Sequence, residues 1–173
     1  NITTNSTFEV ASWLNVSDKQ YVNEEINFTK LPPVLYGADY LRFSNAVKAN
    51  SNGSFVVKEN SNIYVAVDAK LKDKPNWLKG FKKIKNTIQN SKGNLFNVYQ
   101  KEAKQGEKVM FQSLKDCNNC DMFSIAVVLT YNMNLQDDRN ILKLEAENAK
   151  TTGKGVKKAF FKKSDYVEFT KNT

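Results

Sequence analysis

The sequence predicts an all-β protein, a β-sandwich of jelly-roll-like type with a strand-like N-terminal arm and a C-terminal strand-bearing tail. Three observations carry this reading. Apolar residues recur at alternate positions in several short runs, as in strands with one buried face. β-Branched and aromatic residues concentrate in those runs, with turn formers between them. No regular alternation of strand and helix patterns is present, as a parallel α/β sheet would require.

Each element follows in order. Residues 6–14 (STFEVASWL) alternate through Phe8 and Val10, then slip to Trp13 and Leu14. Pro32-Pro33 marks an extended crossing into residues 35–43, because a proline biases its predecessor toward extended backbone. Residues 54–58 form a short strand, and 61–69 (SNIYVAVDA) the strongest, with Ile63, Val65 and Val67 on one face. Residues 75–88 place Trp77, Leu78, Phe81, Ile84 and Ile88 near helical spacing, but Gly80 interrupts them. A short amphipathic helix and a wrapped loop both stand there. Residues 95–101 and 107–112 read as two strands across a turn at 103–106. Residues 122–131 (MFSIAVVLTY) are apolar on both faces, as in a central strand buried on both sides. A polar break, NMNLQDDRN at 132–140, then separates the tail. The organisation is therefore an arm (1–14), a sandwich (15–136), and a linker with a strand-bearing tail (137–173) too short to bury its own core.

Composition excludes much chemistry. The chain of 173 residues has no histidine, which removes Ser-His-Asp and Cys-His catalysis, His-ligated zinc and His-based pH sensing. The expectation is a protein that is not an enzyme. The net charge of +8 comes from 24 Lys and only 2 Arg, Arg42 and Arg139. Nucleic-acid readers rely on arginine for bidentate contacts, so no nucleic-acid partner is expected, and the lysine runs at 79–85 and 154–163 read as solvated faces. No apolar run approaches the about 20 residues needed to span a bilayer, so no membrane insertion is expected.

Compartment signals agree with one another. Asn1, Asn5, Asn15, Asn27 and Asn52 each open an N-glycosylation sequon, all in the first third of the chain. Cys117 and Cys120 form a CNNC pair. No further soft ligand exists for zinc and no thioredoxin-like setting surrounds the pair, so a small loop disulfide is expected. The chain starts at Asn1 without a signal-like stretch, as a mature extracellular, secreted or cell-surface glycoprotein does once its leader has been removed.

Two resemblances follow from quoted segments. LPPVLYGADYLRFSNAVK (31–48), NIYVAVDAK (62–70), PNWLKGF (75–81), NLFNVYQKEAKQGEKVMF (94–111) and MFSIAVV (122–128) together resemble a β-sandwich accessory domain found beside catalytic domains in secreted polysaccharide-degrading proteins. That resemblance implies a non-catalytic sandwich. LEAENA (144–149) followed by SDYVEF (164–169) looks like the opening of a family-six or family-thirty-five carbohydrate-binding module, of which the remaining part is missing. It implies a structural Ca2+ held in part by Glu145 and Glu147, in keeping with calcium's preference for oxygen ligands.

Sugar faces need aromatic rings to stack on pyranose C–H faces and polar groups to take hydroxyls. Trp13, Tyr36, Tyr40, Trp77 and Tyr99 are the candidate rings. Trp77 with Asn76 leads, and Tyr40 with Asp39 completes the expected carbohydrate-binding set. Asp68 and Asp121 lie at strand ends, where a glycosidase would need two facing acids, but their spacing alone does not bring them together. The function expected is carbohydrate or surface contact in an adhesion or accessory role, with glycans as partners. The alternative is a filament or sheath subunit that self-associates by exchanging its arm and tail strands, which have no obvious partner within the chain.

Overall fold

Ten strands make up two antiparallel sheets in the computed structural model, which describes residues 2–45, 52–114, 117 and 119–130. In chain order they are β1 (Ile2–Thr4), β2 (Phe8–Ala11), β3 (Phe28–Lys30), β4 (Asp39–Phe43), β5 (Gly53–Val56), β6 (Ser61–Asp68), β7 (Lys82–Asn90), β8 (Leu95–Ala103), β9 (Lys108–Phe111) and β10 (Ser124–Leu129). A small sheet runs β1-β5-β9, and a large one runs β2-β4-β10-β6-β8-β7-β3. The all-β sandwich predicted from alternation is the observed architecture, and these strands belong to one compact unit, Asn1–Tyr131.

The large sheet is buried on both faces, which explains its near-continuous apolar runs. On one face Leu41, Phe43, Ile63, Val65 and Ile125 pack toward Phe55, Val109 and Phe111 of the small sheet. On the other, Tyr40, Tyr64, Ala66, Phe96, Val98 and Ala126 are covered by the segment between β2 and β4, through Leu14, Leu31, Leu35 and Ala38. β10 sits between β4 and β6 in the middle of the sheet, as its two-sided hydrophobicity predicts. Lys82, Lys83 and Lys85 of β7 are exposed, so this part of the lysine run is a solvated face.

The structure corrects one expectation and decides between the two readings open at 75–88. The N-terminal segment has partners inside the chain: β1 pairs with β5 and β2 with β4. Strand exchange of this arm therefore has no unpaired donor strand behind it. The short helix considered at 75–88 does not form. A 3₁₀ turn at Asn76–Leu78 leads into β7 instead, because Gly80 takes φ +90 and turns the chain out of helical geometry. The strands at either side of the 103–106 turn, β8 and β9, enter different sheets, since β8 pairs with β6 and β7 while β9 pairs with β5. The tail at 137–173, with Glu145 and Glu147, lies outside the described residues, as does Asn1.

That crossover is pinned by Glu107. Its carboxylate takes Lys101 Nζ at 2.6 Å and the Lys104 backbone N–H at 3.1 Å. The lysine hydrogen bond first, then the backbone one, hold the Glu107 carboxyl below the usual glutamate range. A depressed folded pKa gives stability that is complete above the unfolded value, about 4.3, and is lost as pH falls through the folded one. The acid limb of a urea-midpoint profile is expected to be shallower below about pH 4.3 in Glu107→Gln than in the parent. Superimposable limbs would show that this contact adds nothing.

Candidate functional site

At one end of the sandwich, two connections form an open cleft of about 720 Å³. One wall is the β6–β7 connection, which carries Asn76 and Trp77; the other follows β9 and carries Gln112, Ser113 and Asn119. The walls share an anchor. Asp68, at the end of β6, is 1% exposed. One of its oxygens accepts the Lys70 N–H at 2.9 Å, as an Asx turn does, and the other accepts the Asp121 N–H at 2.9 Å. Lys70 begins the first wall, and Asp121 ends the loop that forms the second.

Asp121 extends the same network. Its oxygens accept Asn45 Nδ2 at 3.2 Å and Asn94 Nδ2 at 2.5 Å. The adjoining Met122 has its N–H on Asn45 Oδ1 and its carbonyl on the Tyr21 hydroxyl. Burial first, then the nearby Asp121 and Asp68, push the Tyr21 pKa well up, so the hydroxyl keeps the proton it donates. The two acids considered for glycosidase chemistry are thus brought together, but through a backbone contact with Asp68 enclosed. Cys117 and Cys120 form a disulfide with a Cα–Cα separation of 5.5 Å, and Cys117 lines the cleft.

Trp77 is half-buried. Its ring packs on Phe123 with centroids 5.2 Å apart, so the indole is anchored and its face is only partly open. Two polar atoms on the cleft residues have no hydrogen-bond partner among the described residues: Trp77 Nε1 and Ser113 Oγ, both buried. An unpaired buried donor is costly, at about 1–3 kcal/mol, and two on one cleft call for an external acceptor or a water. Lys70 pairs with Asp68 at 3.8 Å, and Lys74 donates to the Phe81 carbonyl at 2.6 Å while lying over the Tyr99 ring.

The expected carbohydrate set is divided by the fold. Asn76 and Trp77 share the cleft. Tyr40 does not: it is 4% exposed, packs edge-on to Phe28 and belongs to the second core layer. Its place in a central run of the large sheet puts its ring inside. Asp39 is exposed, on a separate apolar groove lined by Ile2, Phe8, Val10 and Leu129. Gln112, Ser113 and Asn119 were not legible as site residues, because nothing local to them signals proximity to residue 77. Asn5, Asn15 and Asn52 of the sequons are exposed and Asn27 is half-buried. Among the described residues no group of three or more acids or cysteines is arranged to hold a metal, and no helix is long and apolar enough to cross a membrane.

No family model matches the chain, and no curated protein matches it. Among solved structures it is similar to a β-glucuronidase from glycoside hydrolase family 2, with a TM-score of 0.68 and 20% identity. The match covers 74% of this chain and 14% of that one, so the chain spans a small part of the enzyme's length. The likeness is one of fold, a β-sandwich that makes up one part of a glycoside hydrolase.

Proposed function

We propose that this chain is a non-catalytic β-sandwich module that contacts carbohydrate through the cleft beside Trp77. One observation carries the reading: Trp77 Nε1 and Ser113 Oγ are buried and unpartnered on the same cleft. Side-chain amides from Asn76, Gln112 and Asn119 surround them. Indole N–H, hydroxyl and amide groups together offer the donors and acceptors that sugar hydroxyls require. Among the described residues lining the cleft, Asp73 is the one carboxylate, whereas glycoside hydrolysis uses a pair. The fold shared with part of a glycoside hydrolase is consistent with an accessory role. An extracellular setting accompanies this reading, supported by the Cys117–Cys120 disulfide and the exposed sequon asparagines.

The test is affinity gel electrophoresis of the 173-residue chain through gels carrying soluble xylan, β-glucan, mannan or pectin. Trp77→Phe keeps a ring against Phe123 and removes the indole donor. It is expected to weaken binding by about tenfold, the worth of one buried hydrogen bond, with the thermal midpoint held within a few degrees. Equal retardation of Trp77→Phe and the parent, or none of the parent in any gel, would sink the proposal.

A further inference from the structure

One wall of the Trp77 cleft carries an excess of positive charge. Lys70, Lys72 and Lys74 all line it, against Asp73 as the one lining carboxylate among the described residues. Their surroundings set the three lysines apart. The Lys70 ammonium stands 3.8 Å from the buried Asp68 carboxylate and 3.3 Å from Asn94 Oδ1, so Asp68 balances its charge. Lys74 is held by neutral groups, the Phe81 carbonyl at 2.6 Å and the Tyr99 ring at 5.6 Å from its centroid. Those contacts fix the ammonium without neutralising it. Lys72 is exposed and has no hydrogen-bond or ion-pair partner among the described residues. Two lysines not paired with an acid, against one carboxylate, leave this wall net positive.

The wall is anchored on both sides of Lys72. Asp68 accepts the Lys70 N–H on its side chain at 2.9 Å and the Leu71 N–H on its carbonyl at 3.1 Å, and Leu71 packs against the core. Further on, the 3₁₀ turn at Asn76–Leu78 is closed by the Leu78 N–H on the Pro75 carbonyl at 2.9 Å. On the facing wall the Ser113 N–H is taken by Asn52 Oδ1 at 3.1 Å, which leaves the Ser113 hydroxyl as the group without a partner.

The chemistry of these groups is weighted toward donation. An indole N–H and an ammonium donate and never accept, and Lys74 has donors beyond the one on Phe81. A sugar hydroxyl that accepts from them brings a proton needing an acceptor of its own. A carboxylate or sulfate brings several acceptor sites and no proton, and its charge-assisted bonds are about twice as strong as neutral ones. A cleft lined by one sign of charge also concentrates ligands of the other. We infer that the cleft takes an anionic polysaccharide, with a carboxylate or sulfate of the sugar held by Lys72 and Lys74 beside Trp77. This rests on the Trp77 cleft being the carbohydrate site and names the class of glycan that it takes.

Paired gels test it: polygalacturonate against its fully methyl-esterified form, and dextran sulfate against dextran. Each pair shares a backbone and differs in charge. The parent is expected to bind the charged member of one or both pairs about tenfold more tightly than the neutral one, and the pair that responds tells carboxylate from sulfate. The whole chain carries +8, so general attraction is separated by a matched control. Lys72→Gln is expected to weaken binding by about three- to fivefold. Lys30→Gln, the same charge change at an exposed position on β3 outside the cleft, is expected to leave it unchanged. Both are surface changes, with thermal midpoints expected within about 2 °C of the parent. Equal weakening by the two variants would make the attraction a property of total charge and overturn the inference. Binding of the neutral polymers alone, sensitive to Trp77→Phe but not to Lys72→Gln, would overturn it and keep the cleft as a site for uncharged glycan. Binding of a charged polymer that Lys72→Gln weakens and Trp77→Phe does not would support the anionic class and remove the indole from the contact. A parent that no gel retards overturns both readings.

Discussion

Phe123→Ala is expected to lower unfolding stability by about 3–5 kcal/mol, the range for deleting a buried Phe side chain. Phe123 is fully buried and joins parts of the fold that the chain brings together from far apart. Its ring meets Phe43 of β4 at 5.2 Å, Phe111 of β9 at 5.8 Å and Trp77 at 5.2 Å between centroids. One belongs to the large sheet, one to the small sheet and one to the cleft wall. Alanine leaves a cavity bounded by three rigid rings, which have little freedom to close it. Urea unfolding followed by tryptophan fluorescence measures the loss. Phe123→Leu, which fills most of the volume, is expected to recover more than half of it. A loss below about 1 kcal/mol in Phe123→Ala would mean the two sheets are held elsewhere.

The second large effect is expected at Asp68. Asp68→Ala removes the acceptor for the Lys70 and Asp121 N–H groups together. Each buried, unsatisfied group costs about 1–3 kcal/mol, so the expected loss is about 2–4 kcal/mol after partial relaxation. Its signature is local. Hydrogen exchange at Lys70 and Asp121 is expected to accelerate more than at Val65 in the middle of β6, because both cleft walls loosen where they leave the sheet. Uniform acceleration would mark Asp68 as a general stability residue with no special hold on the cleft. Asp68→Asn keeps the shape but turns an N–H donor toward a backbone donor, so it is expected to fall between the parent and alanine.

Both residues bear on how much was legible beforehand. Phe123 is readable as core, because MFSIAVV is apolar at every position that a doubly buried strand needs. That its ring meets Trp77 is not readable, since those residues are 46 positions apart and only strand pairing brings them close. Asp68 shows one of its two roles in sequence: an Asp at a strand end, two residues before Lys70, is an Asx turn in waiting. Its hold on Asp121 depends on β6 and β10 being neighbours. The leading choice of Trp77 over Trp13 rested on a loop position after Pro75. The structure adds what that loop position did not show, that the Trp77 ring leans on Phe123. The slip after Val10 marked the place where β2 ends, yet a positive φ at a tryptophan has no sequence signature.

By itself the sequence determined the fold class, the central strand, the absence of histidine chemistry and the Cys117–Cys120 pairing. Each of these rests on composition or on contacts a few residues apart, where alternation and spacing are direct statements about geometry. Only the tertiary structure decided that the N-terminal strands pair within the chain, that β8 and β9 part into different sheets, that Tyr40 is enclosed, and that Ser113 and Trp77 line the same cleft. The physical reason is the same in each case. A period of two says which face of a strand is buried, but not which strand lies beside it or which loops meet at its end.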